Sequence, residues 1–350
     1  MKSGKSASVA VVYSNTEEDP YEKLRTVDPA TLGFIPEYPL AVATILEEYE
    51  AIVNALLAEG FQARLVNVED NPCRLMQFLQ DEAPDAIFNL VEMFYCNPGL
   101  ESAIASLYEL FQIPYTGAGP FALEICRRKA LTKLLLLREK VATPNYRLLR
   151  TPKIPRRHGL KYPLIVKPAR EDASIGVEKE SVVYDYDQLM NRTLFMSESH
   201  DFPILVEEYI SGRELHVSIL GNENPQVLPI IEFDFSSLPE EYPAIITYNV
   251  KWNPLDFAYH RVHDVCPAPL SKRVEARVRK LALKAYEISG CRDYARIDMR
   301  LTESQVPYIL EVNPNPDLTE SVSFMKSAEQ AGLSFSQTLR KIVEFALARG

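Results

Sequence analysis

The sequence predicts a mixed α/β fold that opens with a parallel sheet covered by helices and continues into a smaller α+β region. Over the first 115 residues, short apolar runs alternate with stretches of helical periodicity, and this alternation is typical of a parallel sheet. From Tyr162 onward, strand-like runs dominate. The length of 350 residues exceeds what one compact core usually serves, so about two or three domains are expected.

The first third contains five predicted elements in strand–helix alternation. Its longer helix ends where Gly60 can adopt the left-handed conformation that terminates helices. The elements are strand Ala7–Tyr13, a helix from about Pro39 to Glu59, strand Phe61–Val66, a short helix around Met76–Leu79 and strand Ala86–Leu90. Pro114–Gly117 closes this unit.

A helix pair from Pro120 to about Lys140 follows, and it ends at Thr143-Pro144 because the residue before a proline disfavours helix. The basic stretch Lys153–His158 is interpreted as a solvated loop. The predicted strands beyond it are Leu164–Val166, Gly176–Val183, Ile204–Glu208, Leu215–Leu220 and Val227–Phe235, and the predicted helices are Ser271–Ser289 and Ser336–Ala348.

Composition and charge exclude several classes of protein. Hydrophobic residues make up 47% of the chain and charged residues 25%, which excludes disordered, collagen-like and disulfide-stapled proteins. The net charge of −10 argues against nucleic acid or an anionic membrane as a partner, because phosphates would repel the chain. Five scattered cysteines without a C-x-x-C pair favour reduced thiols. Because the chain shows no signal-peptide-like start and no long apolar run, a cytoplasmic protein is predicted.

Several common catalytic motifs are missing from the sequence. It has no G-x-x-x-x-G-K-[ST] phosphate loop, no H-E-x-x-H and no G-x-S-x-G. Gly117–Ala122 formally matches G-x-G-x-x-[GA], but Pro120 stands inside the turn, and we interpret the segment as a loop that enters a helix. The five histidines show no metal-binding spacing.

The candidate site lies in a predicted hairpin, Tyr294–Leu301 and Val306–Asn313, around the turn Thr302–Gln305. We place Leu301 opposite Val306, which puts Glu311 opposite Arg296 with Asp298 diagonally nearby. One face then carries Ala295, Ile297, Met299, Leu301, Val306, Tyr308, Leu310 and Val312, and the other carries Arg296, Asp298, Arg300, Ile309, Glu311 and Asn313. A slip of one residue would bury the charges, so this register should be well specified.

The second face gathers hard oxygen ligands. Asp298 and Glu311 supply carboxylates and Asn313 supplies an amide oxygen, a set that suits Mg²⁺, which takes its other ligands from substrate phosphates and water. The alternative is a plain polar face on which Arg296 and Glu311 form a surface ion pair. The rigid polar loop Asn313–Asp317 directly after the carboxylates favours the metal site.

Three lysines stand at the ends of predicted elements. Lys167 ends a buried run, Lys129 begins a helical run, and Lys251 follows Ile245–Val250. A lone lysine is usually exposed, but Lys167 ends a strand that should lie inside the protein.

Alternation along Leu215–Leu220 puts Leu215, Val217 and Ile219 on one face. Glu214, His216 and Ser218 lie on the other face, and we interpret His216 as a core or rim residue rather than a catalyst.

Together these segments resemble the ATP-grasp superfamily, and most closely the D-alanine–D-alanine ligase family, over roughly residues 84–350. The resemblance rests on the order and spacing of Phe88–Leu90, Ile113–Gly117, Ala130–Lys133, Ile165–Glu171, Val206–Tyr209, Cys266–Ala268, Ala295–Asp298, Leu310–Asn313 and Ala331–Ser336. It implies an ATP-grasp fold with an N-terminal parallel-sheet domain at 1–125, a central domain at 126–211 and a C-terminal domain at 212–350. ATP would lie between the last two.

The resemblance implies a nucleotide site, a catalytic group and a metal site. The nucleotide would be held by Lys129 and Lys167 at the phosphates, Glu207, Glu208, Tyr209 and Ile210 at adenine through backbone and side chains, and Glu214 at the ribose. Catalysis would use Lys251 at the terminal phosphate, Arg296 at the oxyanion and Ser174 in the lid loop Glu171–Gly176. Asp298, Glu311 and Asn313 would bind Mg²⁺, with Mn²⁺ as an alternative.

The reaction implied has two steps. A substrate carboxylate attacks the γ-phosphate of ATP, and the acyl phosphate is then attacked by an amine, which forms an amide and releases phosphate. The activation is needed because a carboxylate is a poor electrophile, and cations would neutralise the charge spread over the transferring group.

Departures from the family pattern concentrate where the amino acids would bind. They are the segment Val11–Glu18, which lacks the family's glycines, the loop Val91–Glu101, Ala173 in place of the lid serine, Trp252 in place of a tyrosine, Asp317 in place of a glycine, and Val322 in place of the serine that holds the second substrate's carboxylate. The nucleotide side is retained and the amino-acid side is changed.

These departures favour a carboxylate–amine ligase with an altered substrate pair, as in a dipeptide or natural-product ligase. The alternatives are an authentic D-alanine–D-alanine ligase of cell-wall synthesis, an ATP-grasp phosphotransferase and a non-catalytic ATP-binding regulator. The expected partners are small amino-acid, carboxylate and amine substrates and, by the resemblance, a second copy in a homodimer. Arg261 and His263 are interpreted either as substrate-loop residues or as parts of an ordinary exposed loop.

Overall fold

The computed structural model describes residues 6–16, 19–199 and 203–350. Met1–Lys5 and the pair Glu17 and Glu18 of the N-terminal segment lie outside the described residues. The described strands form three sheets. No helix among these residues has the length and apolar character needed to span a bilayer.

The N-terminal sheet is parallel, with strand order β2-β1-β3. Its central strand is buried along nearly its whole length, which explains the continuous apolar run that predicts it. The elements of this region are β1 (Ser8–Tyr13), α1 (Ile45–Ala58), β2 (Gln62–Asn67), α2 (Pro72–Asp81), β3 (Ala86–Asn89) and α3 (Glu101–Leu110). The predicted parallel sheet is therefore confirmed, with strand ends within one or two residues of their predicted positions.

The first helix begins later than predicted. Its N-cap is Thr44, whose hydroxyl accepts a hydrogen bond from the backbone N–H of Glu47, while the Glu47 carboxylate accepts from the backbone N–H of Thr44. This capping box satisfies donors that a helix start leaves without partners. The prediction that the helix starts near Pro39 is wrong, because the helix signal begins at the cap, and Pro39–Ala43 approaches it as an irregular segment.

The second sheet is antiparallel, with order β4-β7-β5-β6. Two helices precede it, and the loop Gly117–Gly119 enters the first of them at Pro120 as predicted. The elements are α4 (Pro120–Arg127), α5 (Lys129–Arg138), β4 (Tyr146–Leu149), β5 (Leu164–Pro168), β6 (Val182–Val183), α6 (Tyr186–Ser199) and β7 (Ile204–Glu208). In the basic loop Lys153–His158, His158 is buried and the two arginines are exposed.

The prediction of a strand over Gly176–Val183 is wrong except for its last two residues. A 3₁₀ turn occupies Lys179–Ser181. The buried guanidinium of Arg192 donates hydrogen bonds to the carbonyl of Gly176 and the hydroxyl of Ser181 and pairs with Glu178. These bonds tie the segment to helix α6 instead of to a neighbouring strand.

The third sheet has the strand order β11-β10-β8-β12-β13, with β9 also paired to β8. Helix α8 packs on one face, where Val278, Ala282 and Ala285 are fully buried. The elements are β8 (Arg213–Leu220), β9 (Gln226–Val227), β10 (Ile231–Asp234), α7 (Tyr248–Trp252), β11 (His263–Val265), α8 (Lys272–Ser289), β12 (Tyr294–Leu301), β13 (Pro307–Asn313), α9 (Ser323–Gln330) and α10 (Phe335–Leu347).

Two predictions about this sheet have opposite outcomes. The prediction of a single strand over Val227–Phe235 is wrong, because this range contains two strands, β9 and β10. Pro229 lies between them, and proline cannot donate a hydrogen bond to a strand ladder. The alternation along β8 is confirmed, because Leu215 and Val217 lie in the core while Glu214 and His216 line a cavity on the opposite face.

The hairpin β12–β13 has a different register from the predicted one. Leu301 pairs with Pro307 and Met299 with Ile309, but the pairing then shifts between Met299 and Asp298. The strands contain a β-bulge at this point. The predicted pairings of Leu301 with Val306 and of Glu311 with Arg296 are therefore wrong.

The bulge has a physical cause in the sequence of β13. Without it, Ile309 and Glu311 would share a face. With it, Ile309 and Val312 both pack in the core, beside Met299 and Ile297, and Glu311 lies directly opposite Asp298. The assignment of Ile309 to the polar face is wrong because burying Ile309 and exposing Glu311 to the cavity require one extra residue, Leu310, between them.

The backbone of Gly212, just before β8, lies close to the backbone of Leu301 in β12. Its φ is +130°, and a Cβ there would lie 2.1 Å from the carbonyl oxygen of Leu301. We expect Gly212→Ala to lower the free energy of unfolding by about 2 kcal/mol or more, since both the backbone conformation and the contact oppose a side chain. Urea denaturation measures the loss. Gly33→Ala is the matched control, because a Cβ at Gly33 has no neighbour within 4 Å, and equal losses in both variants would contradict the packing described.

Candidate active site

A cavity of about 1310 Å³ is lined by residues from all three sheets. The predicted site residues come together here, although they are spread over nearly 200 residues of sequence. All of them line this cavity: Lys129, Lys167, Ser174, Glu207, Glu208, Tyr209, Ile210, Glu214, Lys251, Arg296, Asp298, Glu311 and Asn313.

Two carboxylates face each other on the floor of the cavity. Asp298 and Glu311 are paired residues of the β12–β13 hairpin, and the Nδ2 atom of Asn313 donates to Asp298 Oδ2 at 3.0 Å. Arg296 forms a two-pronged ion pair with Asp298, at 2.7 and 2.9 Å. The sequence analysis placed Glu311 opposite Arg296. Because of the bulge, Glu311 lies opposite Asp298 instead, and Arg296 pairs with Asp298.

Burial and neighbouring charges shift the pKa values of Asp298 and Glu311 in opposite directions. Burial raises the pKa of Asp298 despite its contact with Arg296. Burial also opposes ionisation of Glu311, but Lys129, Lys167 and Arg296 outweigh it and hold the pKa of Glu311 far below its usual value. Glu311 is therefore an anion across the physiological range.

The donor set suits a divalent cation with hard oxygen preference. Carboxylate and amide oxygens are ligands that Mg²⁺ accepts, and Mg²⁺ completes its shell with phosphate and water oxygens. Asn313, whose Nδ2 atom faces Asp298, would present its oxygen after a rotation of its amide group. Among the residues that the structure describes, no group of three or more His, Cys, Asp or Glu side chains is arranged to hold a metal by itself. A cation at Asp298 and Glu311 would therefore have to share its coordination with a bound ligand.

Two buried lysines lie beside these carboxylates. The Nζ atom of Lys129, at the start of α5, is 2.6 Å from Asp172 Oδ1 and 3.2 Å from Glu311 Oε2. Lys167 is the penultimate residue of strand β5, and its Nζ atom is 2.6 Å from Glu207 Oε1. Burial works against the charge of Lys129, but Asp172 and Glu311 raise its pKa above the usual value. The arrangement can hold an anionic group next to a metal.

The segment Glu207–Ile210, which begins in β7 and continues past its end, is bonded to the rest of the protein. The Glu207 carboxylate binds lysines, and the Glu208 carboxylate accepts from Asn145 Nδ2 and from the backbone N–H of Lys161. The backbone N–H groups of Glu208 and Tyr209 donate to the carbonyls of Asn145 and Pro163. Both the side chains and the backbone of this segment are therefore held in place by protein contacts.

Two charged residues of the cavity region had no predicted role. Lys133 is buried with Glu207 in an ion pair of 2.7 Å. Arg300, only 2% exposed, donates to Glu214 at 3.1 Å and to the Tyr209 hydroxyl at 2.6 Å. Spacing could have found both, since Lys133 lies one helical turn after Lys129 and Arg300 alternates with Arg296 and Asp298 along one strand face.

Glu214 and His216 lie side by side on β8 in buried positions. Burial raises the pKa of Glu214 to about 7, although Arg300 opposes the shift. His216 has Nδ1 3.1 Å from the Ser323 hydroxyl and Nε2 3.6 Å from Asp298 Oδ1. Burial and Arg296 lower the pKa of His216 well below its usual value, so the ring is neutral, in agreement with its interpretation as a rim residue.

Lys251 enters the cavity from the short helix α7. Its Nζ atom is 4.6 Å from the centroid of the Trp252 ring, and burial followed by the charge of Arg296 lowers its pKa. The Trp252 indole donates to the carbonyl of Ala173 at 2.8 Å, and the Ser174 hydroxyl donates to the carbonyl of Ile246 at 3.0 Å. The loop Glu171–Gly176 is therefore bonded to the segment that carries Lys251.

Another part of the cavity lining, at positions that the sequence analysis names as departures, carries carboxylates and an apolar residue. Asp317 Oδ1 accepts from the backbone N–H and the hydroxyl of Thr319. Burial raises the pKa of both Glu48 and Glu92 to about 7, and the charge of Asp317 adds to the shift. Val322, which also lines the cavity, offers no hydrogen-bonding side chain.

The segment 19–44, which we call the strap, contains the 3₁₀ helices Pro20–Thr26 and Pro29–Thr31, contributes to the cavity lining and was missed by the sequence analysis. His260 is fully buried and accepts at Nδ1 from the backbone N–H groups of Glu37 and Tyr38, at 3.2 and 3.1 Å. The Tyr21 hydroxyl donates to the carbonyl of Trp252. The strap therefore joins the N-terminal region to the segment around α7.

Arg261 and His263 belong to this contact. Arg261 pairs with Glu37 of the strap, and His263 lies 3.4 Å from the same carboxylate and 2.8 Å from the Tyr38 hydroxyl. Neither residue lines the cavity. Their contacts make them anchors of the strap.

Comparison with known proteins gives the family. The family model described as "D-ala D-ala ligase C-terminus" matches residues 141–344, which is more than half of the chain. The chain belongs to the D-alanine–D-alanine ligase family. It therefore has the ATP-grasp fold and is an enzyme of the carbon–nitrogen ligase class.

Individual relatives of the ligase family match along most of their length. An uncharacterized protein, y4sG, of Sinorhizobium fredii is 29% identical over 90% of this chain and 89% of its own. A D-alanine–D-alanine ligase of Carboxydothermus hydrogenoformans is 30% identical over 85% of this chain and 92% of its own. The D-alanine–D-alanine ligase of Bacillus anthracis in complex with ATP superposes with a TM-score of 0.73 at 22% identity, covering 99% of this chain and 98% of that one, which shows the shared fold.

The raised pKa of Glu48 predicts a pH dependence of stability. Because its pKa rises from 4.5 to about 7 on folding, the protonated carboxyl stabilises the fold, and this contribution is lost as the pH rises through 7. We expect Glu48→Gln to raise Tm relative to wild type by an amount that grows between about pH 5 and about pH 8. Thermal unfolding followed by circular dichroism measures the difference.

The control for this measurement is Glu50→Gln, which removes an exposed carboxylate from the same helix. It should leave the pH dependence of Tm as it is in wild type. A Tm difference for Glu48→Gln that stays constant across the pH range would show that Glu48 ionises normally in the folded protein.

Proposed function

We propose that this protein is an ATP- and Mg²⁺-dependent carboxylate–amine ligase whose amino-acid site differs from that of a D-alanine–D-alanine ligase. The observation that carries the proposal is the opposed pair Asp298 and Glu311 with buried Lys129 and Lys167 beside it. A metal bound to these carboxylates would supply charge neutralisation for a triphosphate. The three sheets support a division at 1–125, 126–211 and 212–350, with the nucleotide between the last two parts.

The side chains of the cavity can serve the two steps of such a reaction. Lys129 and Lys167 would hold the phosphates, with the strand Glu207–Ile210 at adenine and Glu214 at the ribose. Lys251 would contact the terminal phosphate as the substrate carboxylate attacks it and ADP leaves. The products would be an acyl phosphate and then, after attack by an amine, an amide and free phosphate.

Arg296 is suited to the second step. Its ion pair with Asp298 uses two N–H donors, on Nε and Nη2, and a guanidinium has five. The remaining donors are free to stabilise the oxyanion that forms when the amine attacks the acyl phosphate. Ser174 would close over this centre with its loop, since its hydroxyl is bonded to the segment that carries Lys251.

The part of the cavity lined by Asp317 and Val322 supports a substrate pair other than two D-alanines. Val322 cannot hydrogen-bond a substrate carboxylate, and Asp317 adds a charge close to Glu48 and Glu92. A carboxylate placed here would be repelled. These residues favour an amine component that presents a different group at this end, as in a dipeptide or natural-product ligase. We place the enzyme in the cytoplasm, acting on small molecules, and propose a homodimer.

Phosphate release from MgATP, screened over amino acids singly and in pairs, tests the proposed function. We expect release with one or more pairs, and EDTA should abolish it. Lys251→Met should lower kcat by about a hundredfold or more because it removes a cation from the transferring phosphate. Lys341→Met, at an exposed position on α10, is the control. Phosphorylated product without free phosphate would indicate a phosphotransferase, and ATP binding without turnover would indicate a regulator.

A double substitution tests the altered amino-acid site. Asp317→Gly with Val322→Ser restores the family residues, and we expect kcat/KM for D-alanine to rise by about tenfold or more, because a hydroxyl replaces an apolar contact to a carboxylate. The coupled assay for ADP measures it. A wild-type enzyme that already joins two D-alanines efficiently would show that the amino-acid site is unaltered in function.

A further inference from the structure

Lys133 lies at the centre of a buried charge network behind the cavity. Its Nζ atom is 2.7 Å from Glu207 Oε2, 2.9 Å from the Thr143 hydroxyl and 3.1 Å from the carbonyl of Leu310. Thr143 and Leu310 accept hydrogen bonds from this ammonium, and the contact with Glu207 is an ion pair. The side chain is 1% exposed, so it cannot itself contact a molecule in the cavity.

Glu207 is shared between two lysines. Its Oε1 atom is 2.6 Å from Lys167 while its Oε2 atom is 2.7 Å from Lys133. Burial works against the ionisation of Glu207, but the two ammonium groups outweigh it and lower its pKa. One carboxylate thus balances two cations, and the group of three carries a net positive charge next to the cavity.

We propose that Lys133 is a positioning residue that keeps Lys167 available to an anionic phosphate. Without Lys133, Glu207 would neutralise Lys167 alone, and a phosphate would then have to compete with a buried carboxylate for the same ammonium. With Lys133, the carboxylate is held from both sides, and one positive charge remains for the ligand. This inference rests on the proposed role of Lys167 at the nucleotide phosphates.

The hydrogen bond from Lys133 to the carbonyl of Leu310 also fixes the backbone next to the site. Leu310 is the extra residue of the bulge, and its carbonyl is the acceptor. The next residue is Glu311, which the bulge turns toward Asp298. Lys133 therefore holds the backbone directly before a candidate metal ligand, and both ends of the phosphate site depend on one side chain.

The experiment measures binding of a non-hydrolysable ATP analogue with Mg²⁺ by calorimetry to the full-length protein. We expect Lys133→Met to weaken binding by about tenfold or more, because it leaves Lys167 fully neutralised. Lys133→Gln, which keeps a hydrogen-bond donor without the charge, should weaken binding similarly. Adding Glu207→Gln to Lys133→Met should recover at least about threefold, because it frees the charge of Lys167.

The control is Arg349→Met, which breaks the ion pair with the fully buried Asp293, and neither residue lines the cavity. It should lower Tm and leave nucleotide binding within about twofold of wild type. A folded Lys133→Met or Lys133→Gln variant that binds the analogue as wild type does would overturn the inference. So would a Glu207→Gln double variant that binds no better than Lys133→Met. Wild-type protein that fails to bind the analogue would instead contradict the proposed function.

Discussion

The opposed carboxylates of the β12–β13 hairpin, Asp298 buried and Glu311 partly buried, constrain the rest of the site. Two anions facing each other in a protein interior are unfavourable unless cations lie close by. In this protein Arg296 is bonded to Asp298 and Lys129 to Glu311. The bulge at Leu310 sets this pairing, and core packing of Ile309 in turn sets the bulge. The β-bulge at Leu310 therefore both places the two carboxylates opposite each other and allows Ile309 to pack in the core.

The proposed nucleotide and amino-acid ends of the cavity differ in their electrostatics. Around Lys167 and Lys129, each carboxylate is bonded to a cation, and the group of Glu207, Lys133 and Lys167 carries a net positive charge. Around Asp317 and Glu48, the carboxylates lie near one another and repel, and burial raises the pKa of Glu48 to about 7. The part around Lys167 and Lys129, whose side chains are held by ion pairs, is suited to a ligand that is the same in every reaction. The part around Asp317 and Glu48, which is rich in carboxylates, would select its ligand by charge.

The sequence predicted most of the regular structure and a set of residues that the structure brings to one cavity, but not their detailed pairing. Strand β1 was predicted to within one residue, because a buried parallel strand is a continuous apolar run. The register of the hairpin was wrong, because alternation assumes a constant period and a bulge changes it. Lys133 was quoted within a motif without a role, since a sequence does not show which lysine a distant glutamate meets. The strap was missed because its contacts, such as His260 with Tyr38, join segments more than 200 residues apart.

Three segments that line the cavity are bonded in series, with the segment around α7 in the middle. Trp252 donates to Ala173, Ser174 donates to Ile246, and Tyr21 donates to Trp252. An outward movement of the loop 171–176 or of the strap would break its bonds to the segment around α7. The proposed acyl phosphate, formed in this cavity, would be sheltered from hydrolysis while these bonds hold.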